Sequence, residues 1–305
     1  MKKINIIIPI FNEEESIAEL VQKIKETSLK IKEDIVITMV DDGSSDKSWE
    51  IIQNISDSVL SFRKIKFSRN FGHQPAIFCG LEHFQEDAAI IIDADFQDNP
   101  DYIPQLIDKW KEENDIVLAK RISRKESFVR KILINTYFKI QNRFTEVKIP
   151  KNVGHFSLLD KKIVDNLIKF PENKKFLLGL RSYVGFNVAY VEVVKDPRKY
   201  GDPKMSFAQL IKLSSEGLIG FSNTPLNLIG ILGFIVSISS IIFALYTFIQ
   251  NQFFGNKLLN WDFGLTSIYF LSGIQLLSIS VLGQYISKIF DESKNRPFYI
   301  IDKSL

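Results

Sequence analysis

Two carboxylates, Asp93 and Asp95, close the stretch Ile90-Ile91-Ile92-Asp93-Ala94-Asp95-Phe96-Gln97-Asp98. Three β-branched apolar residues read as a buried strand, and that strand ends in acid. If the strand runs straight through them, both side chains point to one face. Two anions so close repel each other unless a cation sits between them. Hard oxygen ligands suit Mg²⁺ or Mn²⁺, which also bind substrate phosphates and leave most coordination to water. One reading is a metal–diphosphate site at a strand's C-terminal end, where open α/β sheets place their ligands. The other is a solvated acidic turn.

The elements around this stretch decide whether such a site can form. Residues 4–10 read as a buried strand, followed by Asn12, an acidic first turn (Glu13, Glu14, Glu15) and a helix through about Glu26. Residues 35–40 form a second strand closed by Asp41-Asp42-Gly43, with Ser44, Ser45 and Asp46 as N-cap candidates for the next helix. Further strands are expected near 62–67 and 116–119, and helices near 74–84 and 103–111. Alternating strands and helices argue for a mostly parallel sheet. Three strands then end in polar or acidic loops that can line one crevice. No G-x-G-x-x-G occurs, which speaks against a nicotinamide or flavin dinucleotide.

Composition narrows the class. The 305 residues are 45% hydrophobic and 25% charged, enough for roughly two domains. A net charge of +3, with no basic run interleaved with aromatics, excludes nucleic acid as the expected partner. The single Cys79 excludes an intramolecular disulfide and a cysteine-based zinc cluster. His73, His83 and His155 share no metal-ligand spacing. The apolar part of residues 1–10 is too short for a signal peptide, so the large domain is expected to stay cytosolic.

Two windows, 217–256 and 263–287, hold no charged residue. Each can span a ~30 Å hydrocarbon core at ~1.5 Å per residue, with spans near 226–249 and 264–286. Lys257 is the one basic residue of the short loop between them, whereas Lys288, Lys294 and Arg296 follow. That bias puts both termini in the cytoplasm. Between 124 and 148 basic residues alternate with large apolar ones, which suits either a helix lying on an anionic membrane or one covering a core. A second such segment, 207–221, leads into the apolar region, and residues 297–301 read as a short terminal strand.

The motifs Ile8-Pro9-Ile10-Phe11-Asn12-Glu13-Glu14, Val40-Asp41-Asp42-Gly43-Ser44, Ser68-Arg69-Asn70-Phe71-Gly72-His73-Gln74 and Asp93-Ala94-Asp95-Phe96-Gln97-Asp98 carry a resemblance. In order and spacing, nearly end to end, the chain resembles the family 2 inverting glycosyltransferases of the GT-A fold. Within them it looks like the polyprenyl-phosphate group, which includes dolichol-phosphate mannose synthases and undecaprenyl-phosphate glucosyltransferases. The resemblance implies that Pro9, Phe11, Glu13 and Asp41 or Asp42 hold the nucleoside, with Ala94 beside the donor. It implies that Asp93, Asp95 and Gln97 form the metal and diphosphate site for Mg²⁺ or Mn²⁺, and that Arg121 lies near the phosphates. Arg198, Gly201 and Lys204 match a loop that closes over the donor; two cations in a Gly/Pro loop also suit a clamp on a diphosphate leaving group. A solvated basic linker would look the same.

One departure stands out. The bacterial branch usually shows Gly-Asp-Phe-Arg-Leu-Leu, and this chain reads Gly154-His155-Phe156-Ser157-Leu158-Leu159. The aspartate is commonly assigned as catalytic base, so His155 replaces an anion at the reaction centre. A lipid phosphate, with a second pKa of about 6, is already largely anionic near neutral pH. It needs orientation and charge neutralisation more than deprotonation, and His155 could supply either.

The expected architecture is a GT-A α/β domain over 1–204, a juxtamembrane helix over 205–224, two transmembrane helices within 225–288 and a cytoplasmic tail over 289–305. The expected activity is transfer of a sugar, with inversion, from a UDP-, GDP- or dTDP-linked donor to a polyprenyl phosphate in the lipid bilayer. Transfer to another lipid or glycan, or a non-catalytic membrane scaffold, are the alternatives. A processive polysaccharide synthase would carry a downstream Gln-x-x-Arg-Trp motif, which is absent. Homo-oligomerisation is left open.

Overall fold

A computed structural model describes residues 2–122, 148–173, 175–194, 224–254 and 261–305. They fall into two compact units. One contains the described residues up to 194 together with 296–305, and the other contains two long helices.

The first unit is built on an eight-stranded sheet of order β7-β5-β6-β4-β1-β2-β3-β8. Its strands are β1 (Lys3–Ile10), β2 (Asp34–Asp41), β3 (Ser61–Phe67), β4 (Ala88–Ile91), β5 (Ile116–Arg121), β6 (Val153–Asp160), β7 (Val188–Val193) and β8 (Ile301–Ser304). Helices α1 (Ile17–Ser28), α2 (Ser48–Asn54), α3 (His73–Glu82), α4 (Ile103–Lys111), α5 (Lys161–Leu167) and α6 (Leu177–Tyr183) lie between them. The α/β class with a mostly parallel sheet agrees with the sequence: β1 pairs in parallel with β2 and β4, β2 with β3, and β5 with β7. Only β6 and β8 run against their neighbours. Central β1 is buried on both faces, from Ile4 to Ile10, which is why its sequence is a near-continuous apolar run rather than an alternating one.

Four local expectations are corrected. The β4 strand ends at Ile91, so Asp93 and Asp95 do not share a strand face; the chain turns there, with Phe96 at φ 59°. The first helix starts at Ile17, not after Asn12. Asn12 is at φ 53°, and the Glu13 N–H donates to Ser48 Oγ instead of entering a helix. Ser44 and Ser45 do not cap α2; Asp46 Oδ1 accepts from Ser48 N–H, while Ser44 Oγ accepts from Asn12 N–H. The terminal strand is Ile301–Ser304, later than 297–301, because Pro297 has no N–H to donate and Tyr299 stacks on Phe67.

In the second unit, α7 (Thr224–Phe254) and α8 (Trp261–Ser293) are 31 and 33 residues long. Both are longer than the roughly 20 residues a bilayer requires. Apolar side chains such as Phe234, Ile235, Leu276 and Ile279 are more than half exposed, which no helical hairpin buried in a soluble core would show. The hydroxyls of Ser239 and Ser278 donate to the carbonyls of Val236 and Ile274, leaving neither to face hydrocarbon unpaired. The basic segment near 124–148, apart from Lys148 itself, and the segment 205–223 lie outside the described residues.

Candidate active site

The sheet order brings the acidic strand ends together. β4, β1 and β2 are neighbours, so the loops after Ile91, Ile10 and Asp41 leave one edge side by side. β6 is reversed and β5 is not, so Gly154-His155 and Arg121 reach the same edge. Ile91 pairs with Ser157 in the antiparallel β4–β6 register, which brings the start of β6, with His155, beside the turn that carries Asp93.

The loops after β1 and β2 are stitched to each other. Asn12 Oδ1 accepts from Ser45 N–H at 2.9 Å, and Glu14 Oε2 accepts from Lys47 N–H at 2.9 Å. The two aspartates after β2 then divide their work. Both oxygens of Asp42 are used, accepting from Phe71 N–H at 2.7 Å and Gly72 N–H at 2.9 Å. Burial pushes this carboxyl up to about 6 against those donors. Asp41 Oδ1 accepts from Ser44 N–H, while its buried Oδ2 has no hydrogen-bond partner among the described residues. Burial raises its pKa as well. Gly43 follows them at φ 68°, and a Cβ there would lie 2.3 Å from the Arg69 carbonyl carbon. Only glycine lets the Ser68–Gly72 loop come this close.

At the carboxylate pair, His73 Nε2 lies 3.0 Å from Asp93 Oδ1. Burial opposes charge on both groups, but their hydrogen bond and mutual attraction prevail: the His73 pKa rises and the Asp93 pKa falls. Asp95 Oδ1 accepts from Gln97 N–H at 3.1 Å, which closes the turn. No cluster of three or more His, Cys, Asp or Glu side chains arranged for a metal occurs among the described residues. Carboxylate oxygens such as those of Asp93 and Asp95 are the donor type that a hard divalent cation takes, and Mg²⁺ draws most of its other ligands from phosphate and water.

The basic side of the site is ordered by β5 and β6. Arg121 Nη2 reaches the buried Asp98 Oδ1 at 3.4 Å. Gly154 allows this: a Cβ there would lie 2.7 Å from Arg121 Nη2. The His155 ring lies 4.8 Å from the His73 ring. Burial, more than the neighbouring charges, pushes the His155 imidazole down to about 3.

Of the other expected residues, Phe11 and Glu13 are half-buried at the β1 end, whereas Pro9 is buried within β1 and Ala94 is packed into the core. Arg198, Gly201 and Lys204 lie outside the described residues. Sequence reasoning assigned no role to His73 or Gln74, although both close the Ser68–Gln74 motif. It also passed over Arg181, which no motif marked: this buried guanidinium donates to Ser157 Oγ at 2.9 Å and to the Gly154 carbonyl at 3.2 Å.

Known proteins share this chain's sequence nearly end to end. An uncharacterised glycosyltransferase of Bacillus subtilis, YkcC, is 37% identical over 301 residues, covering 98% of this chain and 93% of its own length. A prophage-derived bactoprenol glucosyl transferase of Shigella flexneri is 38% identical over 303 residues, 99% of this chain and 98% of its own. Among solved structures, glucosyl-3-phosphoglycerate synthase of Mycobacterium tuberculosis in complex with phosphoglyceric acid is similar at 16% identity and a TM-score of 0.48, over 72% of this chain and 78% of that one. The family model for glycosyl transferase family 2 matches residues 5–168, a span that begins in β1 and takes in every strand end described above. With more than half the chain matched and its relatives aligned nearly end to end, the protein is a glycosyltransferase and belongs to glycosyl transferase family 2.

Proposed function

We propose that this enzyme transfers a sugar, with inversion, from a nucleotide-sugar to the phosphate of a polyprenyl lipid, at the cytosolic face of a membrane, for a cell-surface glycan. The observation that carries this reading is the joining, in one chain, of carboxylates at neighbouring strand ends to two long helices with exposed apolar side chains. The near end-to-end match to a relative named bactoprenol glucosyl transferase supports the same class of acceptor.

In this reading Asp41 takes the nucleoside through its second oxygen, because Asp42 is spent on the Phe71–Gly72 backbone. Asp93 and Asp95 would hold Mg²⁺ or Mn²⁺ against the diphosphate, with Gln97 bonded to Asp95 through its backbone. That cation, when bound, supplies charge that stabilises the departing nucleoside diphosphate. Arg121, braced by Asp98, adds a fixed positive charge at the same edge, and Arg198 and Lys204 would close over the donor. The acceptor phosphate attacks the anomeric carbon as an oxyanion and requires orientation, not a strong base.

The sheet supports a topology with both ends of the chain on one side of the membrane. β8 hydrogen-bonds β3, so residues 301–304 lie on the catalytic domain's side of any bilayer. In this reading α7 and α8 each cross once, which returns the chain to the side it left. The basic residues after α8 support a cytosolic face. UDP-, GDP- and dTDP-sugars remain the donor candidates.

The test is to incubate membranes containing the enzyme with labelled nucleotide-sugars, with and without undecaprenyl phosphate. Label should enter the lipid fraction only when both are present. Equal donor turnover without lipid phosphate, or no transfer from any donor, would overturn the proposal.

A further inference from the structure

Gln74 and His155 lie 81 residues apart in sequence and meet at the reaction edge, with Gln74 Nε2 3.4 Å from His155 Nε2. The other end of the Gln74 amide has no freedom. Its Oε1 accepts from the Leu177 N–H at 2.9 Å, and a backbone amide can only donate. The Nε2 end, itself only a donor, must therefore face His155. The nitrogen it faces must be an acceptor without a proton. Flipping the Gln74 amide would set donor against donor at Leu177, and placing a proton on His155 Nε2 would do the same at Gln74. A neutral imidazole in this setting carries its proton on Nδ1.

That Nδ1 is buried and has no hydrogen-bond partner among the described residues. Buried donors are almost always paired, so one left open in an active site marks the place of a missing oxygen. The surroundings say what kind of oxygen. Arg181 is buried beside His155, bonded to Ser157 Oγ and the Gly154 carbonyl, with its Nε unpaired and no carboxylate against it among the described residues. Arg121 stands over Gly154. An anionic oxygen complements an open N–H flanked by guanidinium groups.

From this geometry we infer that Gln74 is a positioning residue that locks His155 with its proton on Nδ1, and that His155 serves the reaction as a neutral hydrogen-bond donor to a phosphate oxygen. The inference rests on the transfer reaction proposed above. It reverses the polarity of the position: where the related bacterial pattern has an aspartate, a group that accepts, this chain has one that donates. The oxygen belongs either to the acceptor phosphate or to the donor's diphosphate.

Nitrogen NMR of the full chain in nanodiscs, labelled at its three histidines, tests the lock without any turnover. The wild-type His155 should show a protonated Nδ1 and a bare Nε2. Farnesyl phosphate should shift the Nδ1 signal if the acceptor supplies the oxygen, and UDP with Mg²⁺ should do so if the donor does. Gln74→Glu keeps an acceptor for Leu177 but offers His155 an acceptor in turn, so the proton should move to Nε2. For the acceptor case, kcat/KM for farnesyl phosphate should then fall about tenfold or more. UDP affinity should stay within about twofold. His155→Asn, which keeps an N–H at the Nδ1 position, should retain more activity than His155→Asp. A wild-type proton on Nε2, an Nδ1 signal that neither ligand moves, or a better enzyme from His155→Asp would each overturn the inference. Failure of lipid transfer with the Nδ1 proton in place and the signal moved by UDP would count against the acceptor assignment alone.

Discussion

His73 and Asp93 meet at 3.0 Å between Nε2 and Oδ1, so the leading carboxylate of the acidic pair is already held by the imidazole that opens α3. The contact joins the Ser68–Gln74 motif to the Asp93–Asp98 motif, and β4 and α3 position its two halves. The same contact lowers the Asp93 pKa, the hydrogen bond from His73 outweighing the burial that opposes it. Asp95 is bound differently, through the backbone of Gln97. The two carboxylates thus have unequal surroundings, and the second is the cleaner probe of a metal.

Asp95→Asn keeps the size of the side chain and its acceptor for Gln97 N–H while removing a charge. Turnover should fall about 100-fold or more, a few kcal/mol of transition-state stabilisation. A chelator should silence the wild type, and added Mg²⁺ or Mn²⁺ should restore it. Near-wild-type turnover by Asp95→Asn, or indifference to chelation, would remove the metal from the mechanism.

Gly154→Ala tests the placing of Arg121. The new methyl would stand 2.7 Å from Arg121 Nη2, and the guanidinium is the more movable of the two. Its contact with Asp98 should be lost, and activity should drop about tenfold or more with little change in melting temperature. Retained activity would mean that Arg121 need not sit over Gly154 for the reaction.

Much of this site was legible because parallel strands advertise themselves. The apolar runs of β1, β2 and β4 end in Asn12, Asp41 and Asp93, and a parallel sheet sets such ends along one edge. The turn geometry was not legible. An alternation argument carries a strand through Asp93 and Asp95, but the chain leaves the sheet after Ile91, where Phe96 adopts a positive φ. Nor could periodicity reveal that β6 inserts, reversed, between β4 and β5, which is what brings His155 beside the turn that carries Asp93. The Gln74–Leu177 contact depends on two segments 103 residues apart, and no local pattern encodes it.

Asp42 makes stability depend on pH. Its carboxyl is raised to about 6 by burial, above an unfolded value of about 3.9, so the folded state holds its proton more tightly. The contribution is fully present below pH 4 and is lost as pH rises through 6, by up to about 3 kcal/mol. Asp42→Asn cannot titrate and offers one oxygen to two N–H groups. Its melting temperature should therefore change less than that of the wild type between pH 4 and 6. Parallel curves for the two proteins would show that Asp42 is ionised throughout.

The topology can be read by thiol labelling. Cys79 is buried and its thiol is pushed up to about 12 by burial, so it should stay silent toward an impermeant reagent in the native protein. A cysteine at Asn256 should react from outside intact cells, and one at Ser304 only after lysis. Labelling of position 304 in intact cells would refute a pair of crossings with both termini inside.

The last prediction concerns the tail. Tyr299 stacks on Phe67 with ring centroids 4.9 Å apart and planes 11° from parallel, and its hydroxyl donates to Glu82 on α3. Beyond it, β8 covers the edge of β3, with Ile65 opposite Ser304 and Phe67 opposite Ile301. Val40, Ile65, Phe67, Ala76 and Cys79 form a small core that Tyr299 and Ile301 close. Ending the chain after Phe298 removes the ring, the hydroxyl and the covering strand together. The loss of apolar burial alone should cost a few kcal/mol. At roughly 2–4 °C per kcal/mol for a domain of this size, the melting temperature should fall by several degrees. The uncovered β3 edge should also promote association of the purified protein, because an unpaired strand edge templates another. Tyr299→Ala keeps β8 and should show the thermal loss without the association. If truncation leaves both melting and solution size unchanged, the tail does not complete the sheet.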